Sequence, residues 1–514
     1  MLTYEQVNKR FEAAKANKLQ WEHHIRECYR YFMPERNTMD ERNNGAKKRE
    51  WVFDSTAQDS LADFAMRMES ELIPSNINWM KLESGSDIPE DKLETVNGYL
   101  EESTDIVFNH IRSSNFASQA HTAFLDLGIS TGALVVEEGD GIQSALNFRC
   151  ISLSELVIEQ SQQGIVKTVF REFKIPVGDI LEVYPTAKLT EKLKELAANK
   201  PTEEVTLMEG VVWIGKTRMY ENIVTYPENK HFLVQETIES SPWVVFREST
   251  IPGETYGRGR AMTALPDTKT LNVMVRDYLK SLAWWSSPSF TATDDGVINA
   301  HTIRLQPGSV HPVGSNDNAN PTLRPMDVGG NPQIAMDAIS RLQDSIRRVM
   351  ISKPFGNVEE TPVRTATEMS MRQADVAKTS LGASSRIQNE LMETLVARCV
   401  YILKKAGKIA DFKIDGKQVK IKYTSPSARL QDEQTLAAIG RAMEMLMAFP
   451  PELVQQEIKM EEIPSEIIEI LGLPSRFVRS EEEKMAMAEQ AQQQQQQQQA
   501  QAVAMAQQEQ GGNQ

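Results

Sequence analysis

The chain has 514 residues, 40% hydrophobic and 25% charged, room for more than one core, and this excludes a collagen, a disulfide scaffold or a wholly disordered polymer. Lys plus Arg number 56 against 71 Asp plus Glu, a formal charge of -15, the wrong sign for a protein that wraps nucleic acid by counterion release. Cys28, Cys150 and Cys399 are far apart and form no CxxC, so neither a disulfide framework nor a zinc ribbon is supported, and a reducing compartment fits.

The N-terminal residues lack the apolar centre of a signal peptide, and the longest apolar run, Leu395 to Leu403, is interrupted by Arg398, so no membrane partner is expected. From Tyr4 to Phe32, Val7, Phe11, Ala14, Ile25, Cys28, Tyr29 and Phe32 share one face of a long helix that Pro34 ends. Phe53-Asp-Ser-Thr-Ala opens a second helix with Ser55 or Thr56 as N-cap, through Leu61, Phe64, Ala65 and Met68 to Pro74. Val96 to Ile111 and Ala117 to Leu127 read as two more.

After Gly132 the pattern turns to short β-rich runs: Ala133 to Val136, Leu156 to Ile158, Ile165 to Phe173, Val211 to Ile214, Ile223 to Tyr226, Phe232 to Ile238 and Trp243 to Phe246. Gly164 and Pro227 to Lys230 read as hairpin connections, and Lys188 to Asn199 as an inserted charged helix. The fold class is α+β to about residue 255. Tyr256-Gly-Arg-Gly-Arg260 lacks the third glycine of a dinucleotide fingerprint and is read as a tight turn.

Leu271, Met274, Val275, Tyr278, Leu279, Leu282 and Trp285 keep helical spacing between Pro266 and Pro288; Ile334, Ala338, Leu342, Ile346 and Val349 repeat it after Pro332. Two amphipathic helices therefore flank residues 286–330, a segment rich in Pro, Gly, Asn and Ser with strand candidates at Ser289 to Thr293, Ile303 to Leu305 and Ser309 to Val313. Residues 351–364 hold two prolines and a glycine and must be a loop. Thr365-Ala-Thr-Glu368 is a capping box that starts a helix running past Leu391 and Leu395 to Gly407. Phe412 to Tyr423 alternates around Asp415-Gly416 as a hairpin. Helices resume from Leu430 to Phe449 and in shorter pieces to about Leu471. The eight glutamines at 492–499 begin a tail read as disordered.

Catalytic and cofactor chemistry finds no residues to carry it. The chain has no GxxxxGK[ST] loop, no HExxH and no GxSxG. His23 and His24 point to different helix faces; His301 and His311 lack neighbouring cysteines or paired carboxylates; Asp294-Asp295 and Glu481 to Glu483 are solvated charge runs. No enzyme, no metal site and no cofactor are expected.

Four stretches carry a resemblance. They are Phe53-Asp-Ser-Thr-Ala leading to Leu72-Ile-Pro-Ser with Trp79; Gly132-Ala-Leu-Val-Val; Gly253-Glu-Thr-Tyr-Gly-Arg-Gly259 leading to Leu265-Pro-Asp-Thr-Lys-Thr-Leu-Asn272; and Thr365-Ala-Thr-Glu368 with Arg372. In this order and spacing the chain resembles the portal, or head-to-tail connector, proteins of short-tailed bacteriophages (podoviruses). The resemblance implies an α/β wing over residues 1–260, stem helices at 261–285 and 331–350, and a small β-containing clip at 286–330. It further implies a tunnel loop at 351–364, the rest of the wing (long helix and hairpin) at 365–449, and a helical crown at 450–490. The tail at 491–514 matches no family motif.

It also implies a dodecameric ring at one capsid vertex, assembled in the host cytoplasm, through which double-stranded DNA is packaged and ejected. The implied partners are the major capsid protein, the terminase large subunit, a tail adaptor or tail tube protein, and scaffolding and internal core proteins. Arg347, Arg348, Lys353 and Arg364 are the expected channel residues, and Trp284, Trp285, Ile303 and Val310 the expected clip and docking residues. Two competing readings are an internal capsid scaffolding protein, which predicts no β insertion between paired helices, and a virion enzyme, which needs a carboxylate pair or metal constellation.

Overall fold

A computed structural model describes residues 1–36, 39, 47–85, 88–89, 93–141, 143–286, 290–292, 323–325, 332–350, 386–410, 419–424, 426–446, 463–464 and 467. Helices and antiparallel sheets occupy separate layers, which makes the fold α+β. The tunnel loop, the Thr365 capping box, Asp415-Gly416, all of the crown but residues 463–464 and 467, and the Gln-rich tail lie outside the described residues.

Helix α1 (Tyr4–Phe32) buries the whole apolar face read from its spacing, and Thr3 caps it in a reciprocal box with Gln6. Its first half lies on a five-stranded sheet through Val7, Phe11 and Ala14, with Phe11 edge-on to Phe170 at 5.6 Å; its second half enters the main core through Ile25, Cys28, Tyr29 and Phe32. Helix α2 (Thr56–Leu72) starts at the expected place, but its cap differs. Ser55 Oγ turns away to donate to Asp59, and the Asp54 carboxylate instead accepts the Thr56 N–H at 2.9 Å. Helices α3 (Leu93–Arg112) and α4 (Phe116–Ile129) follow, after strand β1 (Met80–Ser84).

Strands β2 (Thr131–Glu138) and β3 (Leu146–Cys150) form a three-stranded sheet with β9 (Trp243–Arg247), in the order β3-β2-β9. The second sheet is a meander of β4 (Leu156–Gln160), β5 (Val166–Pro176), β6 (Glu204–Ile214), β7 (Met219–Tyr226) and β8 (His231–Ile238). The two expected hairpin connections hold, with left-handed Gly164 (φ 82°) and Lys230 (φ 49°) at their turns. Short helices α5 (Ile180–Val183) and α6 (Glu191–Asn199) cover the face opposite α1, burying Ile180 and Leu193 against Leu207, Val224 and Leu233.

Helix α7 (Arg260–Ser286) runs into strand β10 (Phe290–Ala292), which pairs antiparallel with β11 (Leu323–Pro325) before helix α8 (Pro332–Val349) returns. Pro266 lies near the start of α7, as its spacing suggested, in the second turn, where it removes the N–H that would bond the Met262 carbonyl. On α8 the packed face holds Ile339 and Ile346, not Ile334, which is 67% exposed. A π-helical turn (Gln388–Glu393) leads into α9 (Thr394–Lys405), which ends as expected at Gly407. Lys408 N–H bonds the Leu403 carbonyl and Gly407 N–H the Lys404 carbonyl, a Schellman stop with Gly407 at φ 68°. Strand β12 (Val419–Tyr423), the described half of the expected hairpin, pairs antiparallel with β1 in register Met80 to Tyr423, and α10 (Pro426–Leu446) follows.

Candidate functional site

The glycine-rich approach to α7 is a packing device rather than a tight turn. The turn proper lies upstream at Gly253 (φ 90°), while a Cβ on Gly259 would stand 2.3 Å from the Gly128 carbonyl oxygen and one on Gly257 2.5 Å from that of Ser130. Only glycine lets this backbone lie against the junction of α4 and β2. Ser130 Oγ donates to the Gly257 carbonyl at 2.7 Å, Thr131 Oγ1 accepts the Gly257 N–H at 3.0 Å, and buried Tyr256 bonds the backbone of Leu156 and Ile158.

Arg260 then fixes both helices of the pair at once. Its Nε bonds Glu248 at 2.6 Å and its Nη1 the Val349 carbonyl at 3.3 Å, placing a cation on the C-terminal end of α8. Burial raises the Glu248 carboxyl above its usual range, against the pull of Arg260. Two turns along α7, Asp267 accepts from Ser345 at 2.8 Å, so α7 and α8 run antiparallel with their root at residues 260–267 and 345–349.

The pair is anchored to the body through the Trp51 to Asp54 segment. Asn272 Oδ1 accepts the Phe53 N–H at 2.7 Å and its Nδ2 donates to the Trp51 carbonyl at 2.9 Å. Asp54, already capping α2, accepts from Gln343 on α8 at 2.8 Å, and Lys269 reaches Glu27 of α1 at 2.6 Å. Three of the four stretches behind the resemblance are thus tied together at two places: Phe53-Asp54 with Asn272 on α7, and Thr131 beside Gly132 with Gly257 ahead of it. The sequence quoted these residues without revealing what they bond, because each partner lies far along the chain.

At the far end α7 outruns the start of α8. Trp284 and Trp285 are 48% and 39% exposed, with Leu279, Leu282, Ile334 and Met336 also open to solvent. Arg347 and Arg348 sit at the other end of the pair, by the root, about 30 Å from the tryptophans at the usual helical rise. Arg347 pairs with Asp344 of its own helix at 3.4 Å and Arg348 is exposed. Lys353, Arg364, Ile303 and Val310 lie outside the described residues. The β10–β11 pair closes the tip, and β11 had no sequence signal, since Leu-Arg-Pro offers a single apolar residue.

Burial pushes the thiols of Cys28, Cys150 and Cys399 up to about 12, so all three are protonated at neutral pH and poor nucleophiles. His24 is lowered by burial, beside Arg258. Among the described residues no cluster of His, Cys, Asp or Glu has metal-binding geometry, and no helix is long and apolar enough to cross a membrane.

Residues 4–478, nearly the whole chain, match the family described as bacteriophage head to tail connecting protein. The chain belongs to that family. A Bordetella phage BPP-1 protein described as "probable portal protein" is 22% identical over 279 residues, 51% of this chain. The matched region spans 49% of that relative, about half its length.

Proposed function

We propose that this connector chain is a phage portal protein. Copies of it form a ring, twelve by family resemblance, at one capsid vertex. The ring is the channel for double-stranded DNA during packaging and ejection. It is the platform for the terminase large subunit and then for a tail adaptor or tail tube protein, and it seats against the major capsid protein during assembly with scaffolding and internal core proteins. The observation that carries this reading is the antiparallel helix pair, rooted in the body at Asn272 and Arg260, tipped by a β ribbon and exposing apolar side chains at its far end. A lone helical hairpin gains nothing from exposed Trp284, Trp285, Leu279 and Ile334; a neighbouring copy in a ring would cover them. The β ribbon between paired helices weighs against an internal scaffolding protein.

Twelve chains would carry formally about -180, a field that repels a polyanion and favours passage over binding. Arg348, Lys353 and Arg364 then supply weak phosphate contacts screened over about 8 to 10 Å, with Arg347 shared with Asp344. Negative-stain imaging of the purified protein tests the whole: rings with a central channel are expected, and monodisperse single chains at micromolar concentration would overturn it. Lys353→Ala with Arg364→Ala should leave rings intact and alter DNA retention; unchanged packaging, retention and ejection would remove the channel assignment. Trp284→Ser with Trp285→Ser should weaken ring assembly or motor docking, and full activity would remove the clip-base role.

A further inference from the structure

The two sheets meet over a buried polar gap. Along β6, Val205 and Leu207 belong to the small cluster under α6 and Val211 to the main core; Glu209, on the same face, stands between them and is only 6% exposed. Arg149 of β3 and Arg171 of β5 approach its two oxygens from opposite sheets, but only to 3.6 and 3.5 Å. Each arginine makes its close contact with another carboxylate, Arg149 with Glu137 at 2.8 Å and Arg171 with Glu155 at 2.7 Å. Tyr184, just beyond α5, turns its hydroxyl toward Glu209. Among the described residues, four buried atoms of this group, Arg149 Nε, Arg171 Nη1, Tyr184 Oη and Glu209 Oε2, have no hydrogen-bond partner of good geometry, though Tyr184 and Arg171 stand close to Glu209.

Orphaned buried polar atoms cost about 1 to 3 kcal/mol each, so four in one place require a ligand. Charge selects its class. Three carboxylates around two guanidiniums repel an anion, and the two guanidiniums lining the gap repel a cation. Two N–H donors, one carboxylate acceptor and one hydroxyl are the complement of a neutral molecule with two donors and two acceptors. We propose that a single ordered water is bound by Arg149 Nε, Arg171 Nη1, Tyr184 Oη and Glu209 Oε2, and that it is the hydrogen-bonded link between the three-stranded and five-stranded sheets. Donating to Glu209 favours its charged form, as Arg149 and Arg171 do, against the burial that raises its pKa.

The test is a map of the protein, free or assembled, at a resolution that shows ordered water, with a second data set from rubidium chloride. One peak within hydrogen-bond distance of at least three of the four atoms, silent in rubidium anomalous signal, is expected. An anomalous peak there overturns the assignment, as does direct bonding of Tyr184 and both arginines to Glu209 with no peak between them. Tyr184→Phe removes one of the four ligands at little change in volume; it should weaken or abolish the peak and lower the urea midpoint. An unchanged peak and midpoint in that variant removes Tyr184 from the site, and if the variant does not fold the wild-type map decides alone.

Discussion

Arg247, wholly buried at the end of β9, holds Glu390 in the π-helical turn side-on through one guanidinium edge, Nη2 to Oε1 at 2.7 Å and Nε to Oε2 at 3.2 Å. Glu390 Oε2 also accepts the Arg247 backbone N–H at 2.9 Å. The remaining guanidinium hydrogens reach the carbonyls of Thr255 and Gly164, so one side chain joins the approach to α7, the β4–β5 turn and the turn leading into α9. Removing the Arg247 side chain leaves Glu390 only the backbone N–H at 247 and a 3.8 Å approach of Arg386, and takes the donor from two carbonyls. Arg247→Met should cost about 3 to 5 kcal/mol, the range for breaking a buried pair from one side. Glu390→Gln, which keeps shape and one acceptor, should cost about 1 to 3 kcal/mol. Urea midpoints of the two variants check the order; a near-neutral Arg247→Met would show that the pair contributes little.

The Asn272 joint predicts a substitution series. Asn272→Ala leaves the Phe53 N–H and the Trp51 carbonyl without partners, at about 1 to 3 kcal/mol. Asn272→Asp should be worse than its small change in shape suggests, because a carboxylate oxygen then faces the Trp51 carbonyl where a donor stood. Both should speed limited proteolysis between residues 47 and 53 while helix content holds. Protection equal to wild type in both would contradict the joint.

Lys18 gives a pH dependence whose direction is fixed. The residue is 8% exposed, and its ammonium donates to the Ser154 carbonyl at 2.5 Å and has its pKa pushed by burial down to about 8. The unfolded chain holds that proton to about 10.4, so between pH 8 and 10.4 the unfolded state binds more protons and stability rises with pH. Below pH 8 the full cost is present, about 3 kcal/mol. Lys18→Met should therefore be the more stable protein at pH 7, with an advantage that shrinks as pH rises through that window. A difference independent of pH from 7 to 10.5 would refute it.

Two glycines near α7 should respond differently to alanine. Gly259→Ala drives a methyl into two backbone carbonyls, at the upper end of the ~1 to 3 kcal/mol typical of overpacking. Gly253→Ala meets nothing within 4 Å and bears only its left-handed backbone, about 1 to 2 kcal/mol. Thermal midpoints should fall in that order, and equal shifts would argue against the close approach at Gly259.

What the chain disclosed by itself follows from range. The α1 face, the β4 to β9 runs and the Gly407 stop rest on neighbours within a few residues, and their patterns are legible. Strands β1 and β3 gave no signal because Met-Lys-Leu-Glu-Ser and Leu-Asn-Phe-Arg-Cys are short and half polar, strands only through their partners. Of the α8 stripe read from spacing, Ile346 is buried and Leu342 and Val349 pack on the core while Ile334 is exposed, because spacing identifies a stripe and not how far along the helix its neighbours reach. The joint residues Asn272, Asp54 and Gln343, like Arg247 and Glu390, are polar side chains whose roles exist only across long separations, as the Phe53 to Asn272 bond does at 219 residues.

The pairing of β1 with β12 sets a timetable for synthesis. Leu82 and Ile421 are register partners, so β1 leaves the ribosome with its hydrogen-bonding edge and the buried Leu82 face incomplete until some 340 further residues have been made. At roughly 5 to 20 residues per second that wait lasts tens of seconds. The nascent N-terminal half must pass it as an open edge beside apolar surface, the condition in which strands recruit wrong partners. A chain cut before Val419 should therefore aggregate during translation rather than fold into a smaller soluble body.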